Sequence, residues 1–430
     1  MIDLKRLRTA PEEVRAALAR RGDPDVLVLL EELQRLDERR RALATELDAL
    51  NARRNTFARA DAQLVKQHGK LPPDVAEDRR RHGQQIAALE TEQREVAAAL
   101  EAKALLVPNV PLPDLPDGGA SANRVVRTWG TPRPAGAALK PHWELAADLG
   151  ILDLARGAKL AGTGFPLFIG LGARLVRALV AFMLELHTRE HGYLEVAPPL
   201  LVRRETLEGT GQLPKFEDEA YRTDPDDLFL IPTAEVPITN LHRDEILDGD
   251  RLPLAYTAYT PCFRREAGAA GKETRGILRV HQFDKVELVR FARPADSPAE
   301  HERLTGHAEE VLRRLELPYR VVLLAAGDVG FTSAKTYDLE VWAPGTGQWL
   351  EVSSSSTFTD FQSRRANVRF RPGPGAKPEL VHTLNASGVA LPRTLAALLE
   401  TRQEPDGSVT VPAALVPYLG TDRLTRAGGR

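Results

Sequence analysis

A seven-residue repeat constrains this chain more than any other feature. Leu29, Leu36, Leu43, Leu50, Phe57 and Leu64 recur at that spacing, and Leu33 and Leu47 fall four residues after members of the series. Apolar residues so placed form an a/d seam along one side of a long helix. From Val26 to about Val107 the chain is poor in glycine and rich in Ala, Leu, Glu and Arg. The run breaks at the turn signal Gly69-Lys70-Leu71-Pro72-Pro73 and resumes with Ile86, Leu89, Val96 and Leu100 at similar helical spacings. Two runs around one turn predict an antiparallel hairpin, and about forty residues at about 1.5 Å each project roughly 60 Å. An arm this thin has too little core for a globular domain, so it is expected to reach for a partner. Arginines cluster at Arg39-Arg40-Arg41, Arg53-Arg54 and Arg79-Arg80-Arg81. Over Val26 to Val107, however, 14 Lys/Arg face 14 Asp/Glu, so charge alone favours a solvated coiled-coil surface over a nucleic-acid site.

Beyond the arm, Pro108-Asn109-Val110-Pro111-Leu112-Pro113-Asp114-Leu115-Pro116-Asp117-Gly118-Gly119 can be neither helix nor central strand. The boundaries that follow are an arm at 1–107, a linker at 108–135 and a larger domain at 136–430. That domain has a mixed texture. Helices are predicted at Leu175 to His191, at Pro298 to Leu315 with Ser297 as N-cap, and at Leu391 to Arg402. Short strands are predicted at Leu194 to Val196, Leu228 to Pro232, Leu254 to Arg264, Ile277 to Val289, Tyr319 to Leu324, Thr336 to Trp342 and Gln348 to Ser353. Neighbouring strands with few helices between them favour an α+β fold with a mostly antiparallel sheet.

Composition removes several function classes. The chain has 430 residues, 43% of them apolar, and a net charge of −2, which excludes a wholly basic nucleic-acid coat. A single cysteine, Cys262, excludes a disulfide framework and a cysteine-rich zinc site, and it reads as a buried thiol. The opening Met1-Ile2-Asp3-Leu4-Lys5-Arg6 is polar, so no secretory leader is expected. The most apolar stretch, Ala161 to Ala173, is 13 residues and interrupted by glycine, so no membrane span is expected either. A cytoplasmic protein is the default reading.

The chemistry gathers around one predicted hairpin. Period-two alternation from Ile277 to Val289 puts Arg279, His281, Phe283, Lys285 and Glu287 on one face. Arg264 and Glu266 end the preceding strand. The connecting loop, Ala267 to Gly276, carries three glycines, Lys272 and Arg275. Cross-strand ion pairs on a solvated face would explain most such charges. Arginines flanking an aromatic ring also suit a nucleotide, with guanidinium forks for phosphates and a stacking face for the base. Thr233 and Glu235, between Pro232 and Pro237, read equally as a helix cap with its acid or as site residues. Glu351 and Ser354 offer a carboxylate and a hydroxyl for magnesium, but three residues apart they share a strand face only across a bulge. Four consecutive serines, Ser353 to Ser356, are otherwise a polar strand end. Phe358 to Arg371, with four arginines, reads as a solvated basic loop. His281 reads as structural.

Tyr259-Thr260-Pro261-Cys262-Phe263-Arg264-Arg265-Glu266-Ala267-Gly268, followed by Thr274-Arg275-Gly276 and His281-Gln282-Phe283, resembles motif 2 of class II aminoacyl-tRNA synthetases, and the bacterial seryl-tRNA synthetase family in particular. Gly172-Ala173-Arg174-Leu175 through Val196-Ala197-Pro198-Pro199 resembles its motif 1. His382-Thr383-Leu384-Asn385-Ala386-Ser387-Gly388 through Arg393 resembles its motif 3. Thr233-Ala234-Glu235, Glu351-Val352-Ser353-Ser354 and Phe358-Thr359-Asp360-Phe361-Gln362 also match, and the heptad arm stands where this family has its tRNA-binding hairpin. Ala386 and Pro392 stand where many relatives have glycine, and Ser355 where cysteine is common.

The resemblance implies a class II synthetase-like antiparallel-sheet domain that forms seryl-adenylate from L-serine and ATP, with Mg2+, and passes the seryl group to tRNA(Ser). It implies a homodimer, and tRNA(Sec) is a further candidate acceptor. Arg264 would hold the α-phosphate and reacting carboxylate, Arg393 the γ-phosphate, and Glu266 the adenine side. Phe283 would stack on adenine beside the Val280 backbone. Arg265, Arg279, Val352 and Ser353 complete the ATP set, and Glu351 with Ser354 would bind magnesium. Thr233, Ala234, Glu235, Glu287, Asn385 and Ser387 would surround serine. Competing readings are a serine-adenylating paralogue that loads a carrier, a catalytically silent RNA-binding protein, and threonine as substrate. The retained arm, the intact charged residues and the single cysteine respectively argue against these.

Overall fold

The computed structural model describes residues 1–136, 138–267 and 275–426. It divides into two compact units, one of Met1–Ala19 with Asp23–Pro108 and one of Arg20–Gly22 with Asn109–Arg430. Among the described residues no helix is long and apolar enough to cross a membrane.

In the first unit, α1 (Leu4–Thr9) and α2 (Pro11–Ala19) precede the hairpin of α3 (Pro24–His68) and α4 (Pro73–Leu106). Asp23 caps α3 by accepting from Asp25 N, Pro24 takes the first helical position, and Gly69 ends the helix at φ +72°. The seam is not the simple heptad. Val26, Leu30, Leu33, Leu43 and Leu47 are buried, whereas Leu29, Leu36, Leu50, Phe57 and Leu64 are half-buried. Two helices cover one side of each other and leave the flanks of the seam in water. The base is thicker because Leu7 of α1 and Val14 and Leu18 of α2 are also buried. One charge enters the seam: Asp37, 3% exposed, pairs with Arg8, Arg40 and Arg41.

The second unit is built on an eight-stranded sheet. Its strands are β1 (Arg124–Trp129), β2 (Leu194–Glu195), β3 (Leu254–Phe263), β4 (Gln282–Ala292), β5 (Tyr319–Leu323), β6 (Lys335–Ala343), β7 (Gln348–Thr359) and β8 (His382–Ala390). The order is β1-β5-β6-β7-β8-β4-β3-β2, and every pairing is antiparallel except β2 with β3. The α+β expectation therefore holds. Arg124–Trp129 shows that the stretch 108–135, read as a linker, contributes an edge strand to the sheet. The helices of this unit that bear on the site are α5 (His142–Leu149), α6 (Leu171–Glu185), α7 (Glu235–Thr239), α8 (Ser297–Arg314), α9 (Phe361–Ala366) and α10 (Leu391–Arg402).

Alternation along β4 separates two chemistries. Val286 and Leu288 enter the main core with Leu304 and Ala308 of α8 and Leu395 and Leu398 of α10. Lys285 and Glu287 point to the other side, where Val289 and Phe291 join a second apolar cluster with Ala234 and Ile238.

Three expectations are corrected. Residues 277–281 are not strand. The β3–β4 ladder ends at Phe263 and Gln282, and His281 N donates to Gly164 O instead of extending it. Ser297 lies inside α8, which is preceded by Asp296. Phe358 to Arg371 is not a solvated loop: it contains α9, and Arg365 donates to the carbonyls of Glu208 and Leu213, with burial lowering its pKa to about 10.

Candidate functional site

Two register slips shape the site. Between Glu351 and Ser353 the β6–β7 pairing skips one residue, so Val352 is extra. This is the bulge that Glu351 and Ser354 need to share a face, and both line the same cleft. Between Ser387 and Val389 the β8–β4 pairing slips likewise, at Gly388. A Cβ on Gly388 would stand 3.0 Å from His187 Nε2 and 3.2 Å from Val286 O, so any side chain there would have to push its neighbours back.

The cleft holds about 350 Å³. At its inner end lies a continuous buried network. Thr383 Oγ1 donates to Gln362 Oε1 at 2.7 Å, and Gln362 Nε2 donates to Glu235 Oε1 at 2.6 Å. Asn385 Nδ2 bridges the two acids, donating to Glu235 Oε2 at 3.0 Å and Glu287 Oε1 at 2.8 Å. Lys285 Nζ lies 2.5 Å from Glu287 and donates to Thr233 Oγ1 at 2.8 Å. Thr233 Oγ1 also accepts from Glu235 N, although the residue that caps α7 is Ala234. Burial, reinforced by Glu287, pushes the Glu235 carboxyl up to about 7, and burial also raises Glu287. Two carboxylates against one ammonium leave the network short of one positive charge, so it favours a small cation that brings its own hydrogen bonds.

The outer end is open. The Arg264 guanidinium is exposed, 5.2 Å from the centre of the Phe283 ring, and its backbone N donates to His281 O. Glu266, at φ +50°, pairs with Arg279 at 3.1 Å. A carboxylate held in the left-handed region is a strained residue of the kind that clusters at functional sites. Arg393, at the start of α10, pairs with Glu351 at 3.3 Å and donates to the carbonyls of Glu351 and Leu278. Behind Ser354, its Oγ donates to Asp338 Oδ1 at 2.9 Å. Burial and the nearby Glu351 raise Asp338 well above the usual carboxylate range. Glu351 and Ser354 supply hard oxygen donors of the type Mg2+ takes. Among the described residues no group of three or more His, Cys, Asp or Glu is arranged to hold a metal alone, so an ion there depends on ligand oxygens from elsewhere, such as phosphates.

Thr233, Glu235, Arg264, Glu266, Arg279, Val280, Phe283, Glu351, Val352, Ser354, Asn385, Ser387 and Arg393 all line the cleft. Glu287 sits one layer behind Asn385, and Ser353 turns away to donate to Ser387 O. Ala234 packs into the second apolar cluster, and Arg265 points to an exposed hollow beside Glu217 and Arg222. Gly268, Lys272 and Thr274 lie outside the described residues. Cys262 is buried, and that burial raises its thiol pKa. His281 is structural: its ring contacts Arg264 O and stacks on Phe165. Lys285 and Gln362 were given no role by sequence reasoning. Lys285 had a visible signal, since it falls between Phe283 and Glu287 on their own face.

Comparisons with known proteins place the whole chain within one family. The sequence profile described as "tRNA synthetase class II core domain (G, H, P, S and T)" matches residues 215–402, and "Seryl-tRNA synthetase N-terminal domain" matches 1–111. The serine–tRNA ligase of Gemmatimonas aurantiaca is 56% identical over 421 residues, 98% of this chain and 99% of that one. That of Geobacter sulfurreducens is 55% identical over the same lengths. The solved seryl-tRNA synthetase of Pyrococcus horikoshii complexed with ATP superposes with a TM-score of 0.93 at 38% identity, covering 100% of both chains. The cytoplasmic serine–tRNA ligase of Naegleria fowleri in complex with AMP gives 0.84 at 30%, covering 97% of this chain and 96% of that one.

Proposed function

Since the chain belongs to the seryl-tRNA synthetase family, and so activates serine with ATP and transfers the seryl group to tRNA, we propose how its residues divide that work. The observation that carries the reading is the junction of a buried, anionic, fully connected pocket with an open array of arginines. The inner network takes serine. Its excess negative charge receives the ammonium, Asn385 and Thr233 offer partners for the hydroxyl, and Glu287 holds Asn385 and Lys285 from behind. Analogues lacking that hydroxyl would leave buried polar atoms unpaired, which is how a small site rejects them. The outer end takes ATP, with adenine on Phe283 and the Val280 backbone, the α-phosphate on Arg264 and the γ-phosphate on Arg393.

Adenylation needs charge neutralisation and in-line placement more than a covalent enzyme group. A serine carboxylate oxygen attacks the α-phosphorus, the bond to the bridging oxygen breaks, and pyrophosphate leaves with its electron pair. Arg264, able to reach both carboxylate and α-phosphate, offsets the charge that builds between them. A Mg2+ held by Glu351 and Ser354 would supply further neutralisation of the phosphates. In the second half-reaction a terminal ribose hydroxyl of tRNA attacks the adenylate carbonyl and AMP departs. The α3–α4 hairpin would position the tRNA by its backbone. A homodimer, a cytoplasmic location and tRNA(Sec) as a second acceptor accord with the family.

Serine-dependent exchange of labelled pyrophosphate into ATP, with threonine, alanine and glycine as controls, tests the assignment. Exchange with serine alone supports it. No exchange with any amino acid, from folded protein, overturns it.

A further inference from the structure

His142 opens α5, and both it and Glu400 of α10 are fully buried. Its backbone N donates to Glu400 Oε1 at 3.0 Å, and its Nδ1 meets the same oxygen at 2.8 Å. A carboxylate oxygen only accepts, so Nδ1 carries the proton. The other oxygen, Oε2, accepts from Thr346 N and Thr346 Oγ1. In the neutral ring Nε2 is then a bare acceptor, and Ile277 N donates to it at 3.3 Å. The approach leaves no spare room: Gly276 sits at φ +69°, and a Cβ there would come 2.2 Å from Nε2.

The ring thus bolts the 277–280 wall to the helix that carries Arg393. Past Ile277, Leu278 O accepts from Arg393 Nε, Arg279 pairs with Glu266, and Val280 lines the cleft. His142 itself is not among the residues lining the cleft. We propose that His142 is a positioning residue for the nucleotide end of the site, acting through the Ile277 amide; this rests on the outer end being the ATP side. A protonated Nε2 would set two donors against each other, so one tautomer is required. The His142 strut is the buried tie between the wall and the α10 helix behind the half-buried Arg393–Leu278 contact, whereas the serine network has no hydrogen bond to His142 among the described residues.

The full-length enzyme carrying His142→Asn or His142→Gln tests this. Asparagine keeps an amide N–H near the Nδ1 position, to serve Glu400, but cannot reach Ile277. Glutamine places a carbonyl near the Nε2 position. In pyrophosphate exchange, H142N raises KM for ATP about tenfold, the size expected when the cost of orphaning the buried Ile277 N–H falls on nucleotide binding. It leaves KM for serine within about twofold, and H142Q recovers most of the loss. Equal shifts in both KM values, or an unchanged KM for ATP in folded H142N, overturn the proposal. Hydrogen exchange at the Ile277 amide separates this from failure of the functional reading. That amide is slow in the unaltered protein and in H142Q, and at least tenfold faster in H142N, whatever the enzyme turns over. An amide equally protected in H142N also overturns the proposal.

Discussion

The two ends of one cleft solve recognition in opposite ways. At the inner end Glu235, Lys285, Glu287 and Asn385 are at most 8% exposed, and each is held by another member of the set. At the outer end Arg264 is exposed, and the Arg393–Glu351 pair is 28% and 45% exposed. A small amino acid differs from its rivals by one or two groups, so discrimination requires a dry, preorganised set of partners that suffer when a group is missing. A triphosphate is large and highly charged, and arginines that neutralise one another with nearby acids can turn to it on arrival. On the proposed division of the cleft, the inner end serves selectivity and the outer end serves charge.

The contrast is broken most severely at Arg264. If its guanidinium neutralises the reacting phosphate, Arg264→Ala lowers the exchange rate by about 10³-fold or more, and Arg264→Lys restores little because an ammonium lacks the fork. Retention of more than a tenth of the rate in R264K would mean that charge suffices and geometry does not. The next largest effect is at the inner end. Asn385→Ala removes the amide that joins Glu235 to Glu287 and leaves two buried carboxylates facing each other. KM for serine rises about 10²-fold, while KM for ATP moves less than about threefold. Parallel shifts in both would show that the two ends are one site.

A smaller effect, readable without mutation, comes from pH. The Glu235 carboxyl titrates near 7, so about nine-tenths is ionised at pH 8 and about one-tenth at pH 6. If the serine ammonium seats against Glu235, only the ionised form supplies its counter-charge, and KM for serine rises about tenfold from pH 8 to pH 6. KM for ATP, read at saturating serine, changes less. The same shift opposes folding. Below the ordinary value of 4.5 the carboxyl is neutral whether folded or not, and its contribution to stability is lost as pH rises through 7. A flat serine profile would place the ammonium elsewhere.

Much of this could be read from the chain, for identifiable reasons. The arm declared itself because a seam repeats and each repeat adds to the signal. Phe283 and Glu287 were placed on one face by alternation alone. Alternation failed just upstream, where Ile277 and Val280 obey a turn closed on His142, a contact between residues 135 positions apart that local pattern does not encode. Glu351 and Ser354 were paired by their donor chemistry on condition of a bulge between them, and the slip at Val352 is that bulge. Lys285 was on the right face yet had no role, because its meaning lies in Thr233 and Glu287 together. Residues that act through neighbours distant in sequence are those that single-sequence physics reaches last.

The smallest predicted effect lies outside the cleft and sharpens the comparison by leaving both ends untouched. The arm's arginines are not equivalent. Arg79 lies 3.5 Å from the centre of the Phe57 ring and pairs with Asp61, and Arg39 pairs with Glu92. Their charges are already spent on holding the hairpin together. Arg54 and Arg81 are exposed and form no ion pair among the described residues. If the hairpin meets RNA phosphates, exposed arginines of this kind do so, Arg54 and Arg81 among them. Arg54→Ala or Arg81→Ala then weakens tRNA charging about three- to tenfold and lowers the salt dependence by about one phosphate contact, with serine-dependent exchange unchanged. Arg79→Ala instead loosens the arm by about 1 kcal/mol, seen as earlier melting of the first unit with no change in salt slope. Were Arg79 to alter the slope and Arg54 and Arg81 not, the RNA would have to displace the Asp61 pair, and the arm would be a surface that opens on contact instead of a preformed one.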